Sequence, residues 1–447
     1  MGESVTANAE YVAHFRRLNN DENPAWLRSL RNAAFQRFEQ LGFPTQKQEE
    51  WGYTNPAPFS QASAPAVADT AGLTRNDAKS HSYHGLDAFE LVFINGHYAP
   101  SLSSLRPLAS GVRVQSLASV LAKNPQDAEA HLGQVAAFDH NPFTALNTAL
   151  FSDGAFIELA PGANPKVPIH LLFVGRSRGT PTVQFPRILV HAGKQSRLDL
   201  IESYVGAPDS VHITNAVTEL VLDEGAQVHR HKIQREAPEA HHLQTVEAEL
   251  QRDAKLVDHN VAFGAKVART DVGVRFADQG GEVTMNGLYV LGGQQHIDNH
   301  TRVDHAQPNC QSNEFYKGIL DGKSHGVFYG RVIVRKDAQK TNSTQTNKNL
   351  LLSDGALVDS IPALEINADD VKCAHGSTIG QVDKDAIFYL RSRGIDEKTA
   401  RSLLTYGFAR DVLSLIKIPA LRDNLDELVL ARLPNGRTVK EALHEVI

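Results

Sequence analysis

The chain has almost no sulfur chemistry of its own. Two cysteines, Cys310 and Cys373, occur in 447 residues. That is too few for a disulfide framework, or for a four-cysteine zinc or iron–sulfur site held by one chain. Long apolar runs are missing too. Clusters such as Leu171–Val174 fall far short of the ~18 residues that span a bilayer, so no membrane segment is expected. Residues 1–30 lack the apolar stretch that marks a secretory leader, and the sequence reads as cytoplasmic. There is no basic excess: 45 Lys and Arg face 51 Asp and Glu, a net charge of −6, which argues against a nucleic-acid surface. Nucleotide, nucleophile-elbow and zincin motifs are absent. Gly318-Ile-Leu-Asp-Gly-Lys-Ser324 approaches a phosphate loop but is one residue too short for its amides to encircle a phosphate. It reads as a turn between strands.

What is present divides the chain. Residues 1–85 read as a helical domain with a Pro/Ala-rich linker. Trp26, Leu30, Ala34, Phe38 and Leu41 share one helical face, with Asn23 as cap, Pro24 in the first turn and Gly42 past the end. Residues 55–70, with three prolines and five alanines, read as linker. Residues 86–153 are a mixed lead-in, with a hairpin signal at Asn95-Gly96 and a short helix at Pro142–Leu150. Residues 154–383 carry short β-rich runs between Gly, Asp and Asn turns. A weak tetrapeptide repeat, at Gly225, Asp253 and Gly280, steps by 28 and then 27 residues. A near-constant period favours stacked coils over a sandwich, so the fold class is mainly β, a parallel β-helix lined by Val, Leu, Ile and Phe. Residues 384–447 turn helical, with one helix over Asp396–Ile418, ended by Pro419, and another over Leu421–Arg432.

Histidines are frequent. His229 and His231 share a strand face, and His241, His242, His259, His296, His300 and His305 follow. Imidazole suits zinc, copper and iron, but without matching carboxylate or cysteine spacing the His229–His305 region reads rather as polar sheet surface. Cys373-Ala-His375 puts a thiol and an imidazole on one strand face. That pair can be two ligands of a soft metal or iron site, or a packed Cys beside a hydrogen-bonded His. It cannot complete a four-ligand site alone.

The segment Asp370-Val-Lys-Cys-Ala-His-Gly-Ser-Thr-Ile-Gly380, followed by Ile387-Phe-Tyr-Leu-Arg-Ser-Arg-Gly-Ile395, closely resembles the SufD family, subunits of the SUF iron–sulfur cluster assembly complex. Further matches lie at Gly42–Thr45, Glu49–Trp51, Phe143–Thr148, Asn347–Leu352 and Leu364–Asp370. The sister subunit SufB carries a cysteine directly after the Phe-Tyr pair, where this chain has Leu390. Gly52 and Ser377 are small departures from the family pattern. The resemblance implies a right-handed parallel β-helix flanked by N-terminal and C-terminal α-helical domains. It implies a non-catalytic scaffold that pairs with SufB through the β-helix cores, and a homodimer of the isolated chain. His375 is then the functionally important residue and a transient iron ligand, with Cys373 beside it in the cluster-assembly interface. No cofactor is bound permanently; an iron–sulfur cluster is shared transiently with SufB. The ATPase SufC docks on the C-terminal helices. There Leu404, Phe408, Val412 and Leu415 form an apolar stripe, Tyr406 and Phe408 are expected anchors, and Gly407 in mid-helix suggests close approach of another backbone.

Overall fold

The structure, a computed structural model, describes residues 9–60, 64–67, 70, 72–177, 181–207 and 209–446. Its core is a parallel β-solenoid of about seven turns. The chain alternates between two sheets. The first runs Val112–Ser116, Gly154–Leu159, Arg187–Ala192, His212–Leu222, His241–Leu250, Val267–Phe276, His296–His305, His325–Val334 and Leu357–Ile366. The second runs His97–Tyr98, Phe89–Ile94, Ile169–Gly175, Arg197–Gly206, Gln227–Arg235, Lys255–Ala262, Glu282–Leu291, Gln311–Leu320, Asn342–Leu351 and Lys372–Gly380. The expected hairpin at Asn95-Gly96 forms, with φ of 53° and 80°.

The corners explain the repeat. Gln195, Gly225, Asp253, Gly280, Asn309 and Lys340 all have positive φ, and each lies just ahead of a second-sheet strand. Glycine takes that conformation without a Cβ penalty, as at Gly225 and Gly280, and Asp or Asn tolerates it better than other residues. The 28- and 27-residue steps equal the register of the stacked strands, where Gln227 pairs with Lys255 and Lys255 with Glu282. The Gly318–Ser324 segment is a strand end and the corner after it, where Lys323 N–H donates to Gly293 O.

The coil interior departs from the expected aliphatic lining. One side is apolar, with Leu198, Leu220, Leu222, Val228, Leu250, Leu256 and Phe276. The other is polar and charged. Buried Arg230 donates to Glu202 (2.6 Å) and Asp258 (2.7 Å), Gln244 donates to Glu202, and Lys232 donates to Thr270. Glu236 lies between His212 (3.3 Å) and His242 (2.9 Å). Such groups survive burial only when paired. Burial would lower the Arg230 guanidinium, but Glu202 and Asp258 outweigh it and hold it raised.

Each sheet is covered on its outer face. Against the first packs Pro142–Leu150, capped by Asn141, with Ala25–Leu41 over it. Pro24, not Asn23, holds the cap position of Ala25–Leu41, and Asn23 donates to Leu18 O instead. The expected linker is largely packed. Phe59 is buried against Trp51 and Phe143, and Ala64–Pro65 pairs with Thr182–Val183; residues 61–63 and 68–69 lie outside the described set. Against the second sheet pack Glu397–Leu413 and Pro419–Leu430, burying Ile201, Ile233, Val261, Leu288 and Ile319. The expected single helix to Ile418 stops at Leu413, and Pro419 opens the next helix as its first residue, the position where a missing N–H costs nothing. A Cβ at Gly407 would meet nothing within 4 Å, so no neighbouring backbone accounts for that glycine.

Candidate functional site

The last coil consists of Leu357–Ile366 in the first sheet and Lys372–Gly380 in the second, and among the described residues each pairs on one side only. Lys372 N–H donates to Thr341 O. Successive residues of a parallel ladder face opposite neighbours. Ala374, Gly376 and Thr378 therefore continue the inner ladder, and the backbone groups of Cys373, His375, Ser377 and Ile379 face the open edge. In the first sheet Leu357 N–H donates to Ser324 O, so Pro362 falls on an outward position. A proline there interrupts any further pairing. The second-sheet edge is the uninterrupted one.

The side chains of this strand end the columns that line the coil. His375 stands in register with Gln345, which follows Glu314, Met285, Asp258 and Arg230. Ser377 follows Asn347, and Cys373 follows Ser343. Ser377 Oγ bonds Ser360 Oγ at 2.8 Å, and Ser360 donates to Asn347 Oδ1 at 2.8 Å, tying the two sheets together. His375 is thus an inward column residue left exposed because no coil follows it. Cys373 is half-buried against the cluster of Val332, Val334, Ala338 and Ala368. Burial pushes its thiol pKa up, so at neutral pH it is a poor nucleophile and ligand until deprotonated. Together they offer one imidazole and one sulfur from one face.

Behind the open end Glu314 is buried and hydrogen-bonded by Thr301 at 2.5 Å. Burial pushes its carboxyl up to about 7.

The histidine-rich region does not converge. His229 sits at the surface with Asp199, and His231 stacks on His259 beneath the C-terminal helices. His242 and His305 face the coil interior, on Glu236 and Ser312. His241 packs on Phe59, while His296 and His300 meet Thr54 and Asp298. The sheet-surface reading fits His229, whereas His231, His242, His259 and His305 are buried.

The C-terminal stripe is mostly inside the chain. Val412 is buried against the β core and Tyr406 is buried with it; burial and then Asp426 push the Tyr406 hydroxyl up to about 12. Phe408 is half-buried under Lys317, whose Nζ lies 3.9 Å from the ring centroid and donates to Phe408 O. Leu404 is half-buried against Leu350 and Ile387, and Leu415 is exposed. The face of this helix that meets the core includes Thr405, Ala409 and Leu413 rather than following the expected stripe alone.

Sequence reasoning missed the most exposed aromatics. Phe388 and Tyr389, on Lys384–Ser392 directly after the last strand, are 72% and 58% exposed. Ile387 and Leu390, three apart, pack inward. Adjacent positions on a helix cannot share that face, and this was the available signal.

Two family models match the chain. Residues 173–408 match the SUF system FeS cluster assembly SufBD core domain, and residues 5–171 match the SufBD protein N-terminal region. An iron–sulfur cluster assembly SufBD family protein of Synechocystis is 32% identical over 413 residues, 90% of each chain. The iron–sulfur cluster assembly protein SufD of Escherichia coli is 29% identical over 408 residues, 90% of this chain and 93% of its own. A SufBD family protein of Mycobacterium bovis is 39% identical over 215 residues, 46% of this chain and 54% of the relative.

Proposed function

The chain belongs to the SufBD family and has a role in SUF iron–sulfur cluster assembly, and from that premise we propose that it is a non-catalytic scaffold pairing with SufB through the open coil. The observation that carries the reading is the uncapped edge. Solenoids need capping at their ends, and an exposed flat strand edge is a template for another chain. Lys372–Gly380 has no such protection. A partner strand laid on it would satisfy the outward backbone groups of Cys373, His375, Ser377 and Ile379. It would also enclose His375 in a shared interior. There His375, with Cys373 nearby, is a transient ligand for the cluster as cargo, and SufB supplies the remaining ligands. In the absence of SufB the same edge pairs two copies of this chain.

SufC docks, in this reading, on the C-terminal helical domain. Exposed Phe388, Tyr389 and Leu415 and the free edges of Leu404 and Phe408 offer contact, since aromatic anchors dominate many interfaces. Tyr406 and Val412 hold the helices from beneath. Deleting residues beyond 395 is a poor test, because it would strip the cover from Ile201, Ile233, Val261, Leu288 and Ile319. Point changes are cleaner. Ser377→Pro removes one outward N–H, whereas Ser377→Ala keeps it. On co-expression with SufB and SufC, the proline variant should lose SufB at least ~10-fold, about 1.4 kcal/mol, and retain SufC. Wild-type recovery of SufB by Ser377→Pro would overturn the pairing mode.

A further inference from the structure

On the outer face of the first sheet, far along the chain from His375, one group of ligating side chains comes together among the described residues. His131, Glu158 and His191 place one ligand atom each within 4.8 Å of one another, all partly buried. Glu158 and His191 are in-register neighbours on adjacent strands. His131 reaches them from a loop of the N-terminal layer and stacks on His191 at a centroid distance of 4.5 Å.

That loop is held in place. The buried carboxylate of Glu219 accepts the N–H groups of Gly133, Val135 and Ala136 at 2.9, 3.0 and 3.0 Å. The same carboxylate pairs with buried Arg187, so His131 is presented by a backbone fastened to the sheet.

The donor atoms are prepared as well. His191 Nε2 lies 3.2 Å from Asp223 Oδ2. A proton on Nε2 for that bond leaves the lone pair on Nδ1, and Nδ1 is buried with no protein partner. A carboxylate behind the far nitrogen of an imidazole is the arrangement that orients metal-binding histidines. Glu158 gives Oε2 to Arg113 at 2.8 Å, which leaves its other oxygen.

We infer that His131, Glu158 and His191 bind a divalent first-row transition metal, with Asp223 orienting His191. Two imidazoles and a carboxylate suit zinc or ferrous iron. Bonds near 2.0–2.1 Å set ligand atoms roughly 3.3 Å apart, and stacked rings do not aim their in-plane lone pairs at one point, so binding requires His131 to turn out of its stack on His191. The site does not depend on the scaffold reading: it uses none of the residues of the last coil.

The test is anaerobic titration of the full-length chain with Co2+, read by its d–d absorption, and with Zn2+ and Fe2+ in competition against a chromophoric chelator. One equivalent should bind. His131→Ala and Glu158→Gln should abolish it, and Asp223→Asn should weaken it by about 10–100-fold. Thermal melting without metal checks that each variant is folded. His131 and Glu158 are only half-buried, so their variants decide the matter even where His191→Ala fails to fold. The arms for Zn2+ and Fe2+ assign the metal by relative affinity. Binding that survives His131→Ala and Glu158→Gln, or no stoichiometric binding by the wild type, would overturn the proposal; the two histidines would then be a packed pair.

Discussion

The two ends of the solenoid are built on opposite plans. At the N-terminal end the first sheet finishes in a five-residue antiparallel strand, Val112–Ser116, and the second in the two-residue strand His97–Tyr98. Short, reversed edges blunt further pairing. Inside, Phe93, Phe173 and Tyr204 stack at 4.7 and 5.0 Å and close the coil with apolar rings. At the C-terminal end the edges are ten and nine residues long and parallel, and the inward residues are Ser360, His375 and Ser377. An end that serves only stability is sealed like the first. An end left long and polar is what the proposed pairing requires, and the polar columns behind it show that the coil is not dry packing up to its last turn.

The comparison is sharpened first in the middle of the solenoid. Arg230 is fully enclosed between Glu202 and Asp258. Arg230→Met leaves two buried carboxylates without their cation, which should destabilise the chain by about 3–5 kcal/mol. Urea denaturation measures it. A loss under ~1 kcal/mol would mean that the polar column is as forgiving inside as at its exposed end.

Next comes Glu314, two coils from the edge. Its folded pKa of about 7 stands above the ordinary 4.5. The folded state therefore holds a proton that the unfolded chain has released between those values. Stability contributed here is complete below pH ~4.5, falls as pH rises to about 7, and is flat beyond. Glu314→Gln keeps a neutral side chain and should remove that slope, a relative gain on the order of 3 kcal/mol at pH 8 and little at pH 4.5. Parallel pH profiles of the two proteins would show that Glu314 is ionised like a surface carboxylate.

Much of this was legible in the sequence, and what was not has physical causes. The coil period showed because corner residues must take positive φ, which confines them to Gly, Asp, Asn and a few others. Pro142–Leu150 and the Asn95-Gly96 turn showed because their signals are local. The polar half of the interior did not show. Arg230, Glu202, Asp258 and Lys232 look like surface residues until the opposite sheet supplies their partners. The burial of Tyr406 and Val412 did not show for the reverse reason: an apolar stripe does not say which surface covers it, and here it is the chain's own second sheet. His375 was named by family resemblance. Its exposure follows only from its being last in a column.

The smallest change in stability is expected at that last position. His375 is exposed, and its strand backbone is held by the inner ladder whatever the side chain. His375→Ala should move the unfolding free energy by less than ~0.5 kcal/mol. It should also leave copurification with SufB and SufC intact, since the outward N–H remains. What it removes is an imidazole that can ligate iron or carry a proton, so reconstituted cluster formation by the complex should fall sharply. Cys373→Ala should matter less, because the half-buried thiol has a raised pKa and packs against the Val332, Val334, Ala338 and Ala368 cluster. The two variants separate a chemical role from a structural one. If His375→Ala lowers stability and assembly together with cluster formation, the residue shapes the edge. If cluster formation proceeds at the wild-type rate, the open column ends in a residue without a chemical task, and the open end is for pairing alone.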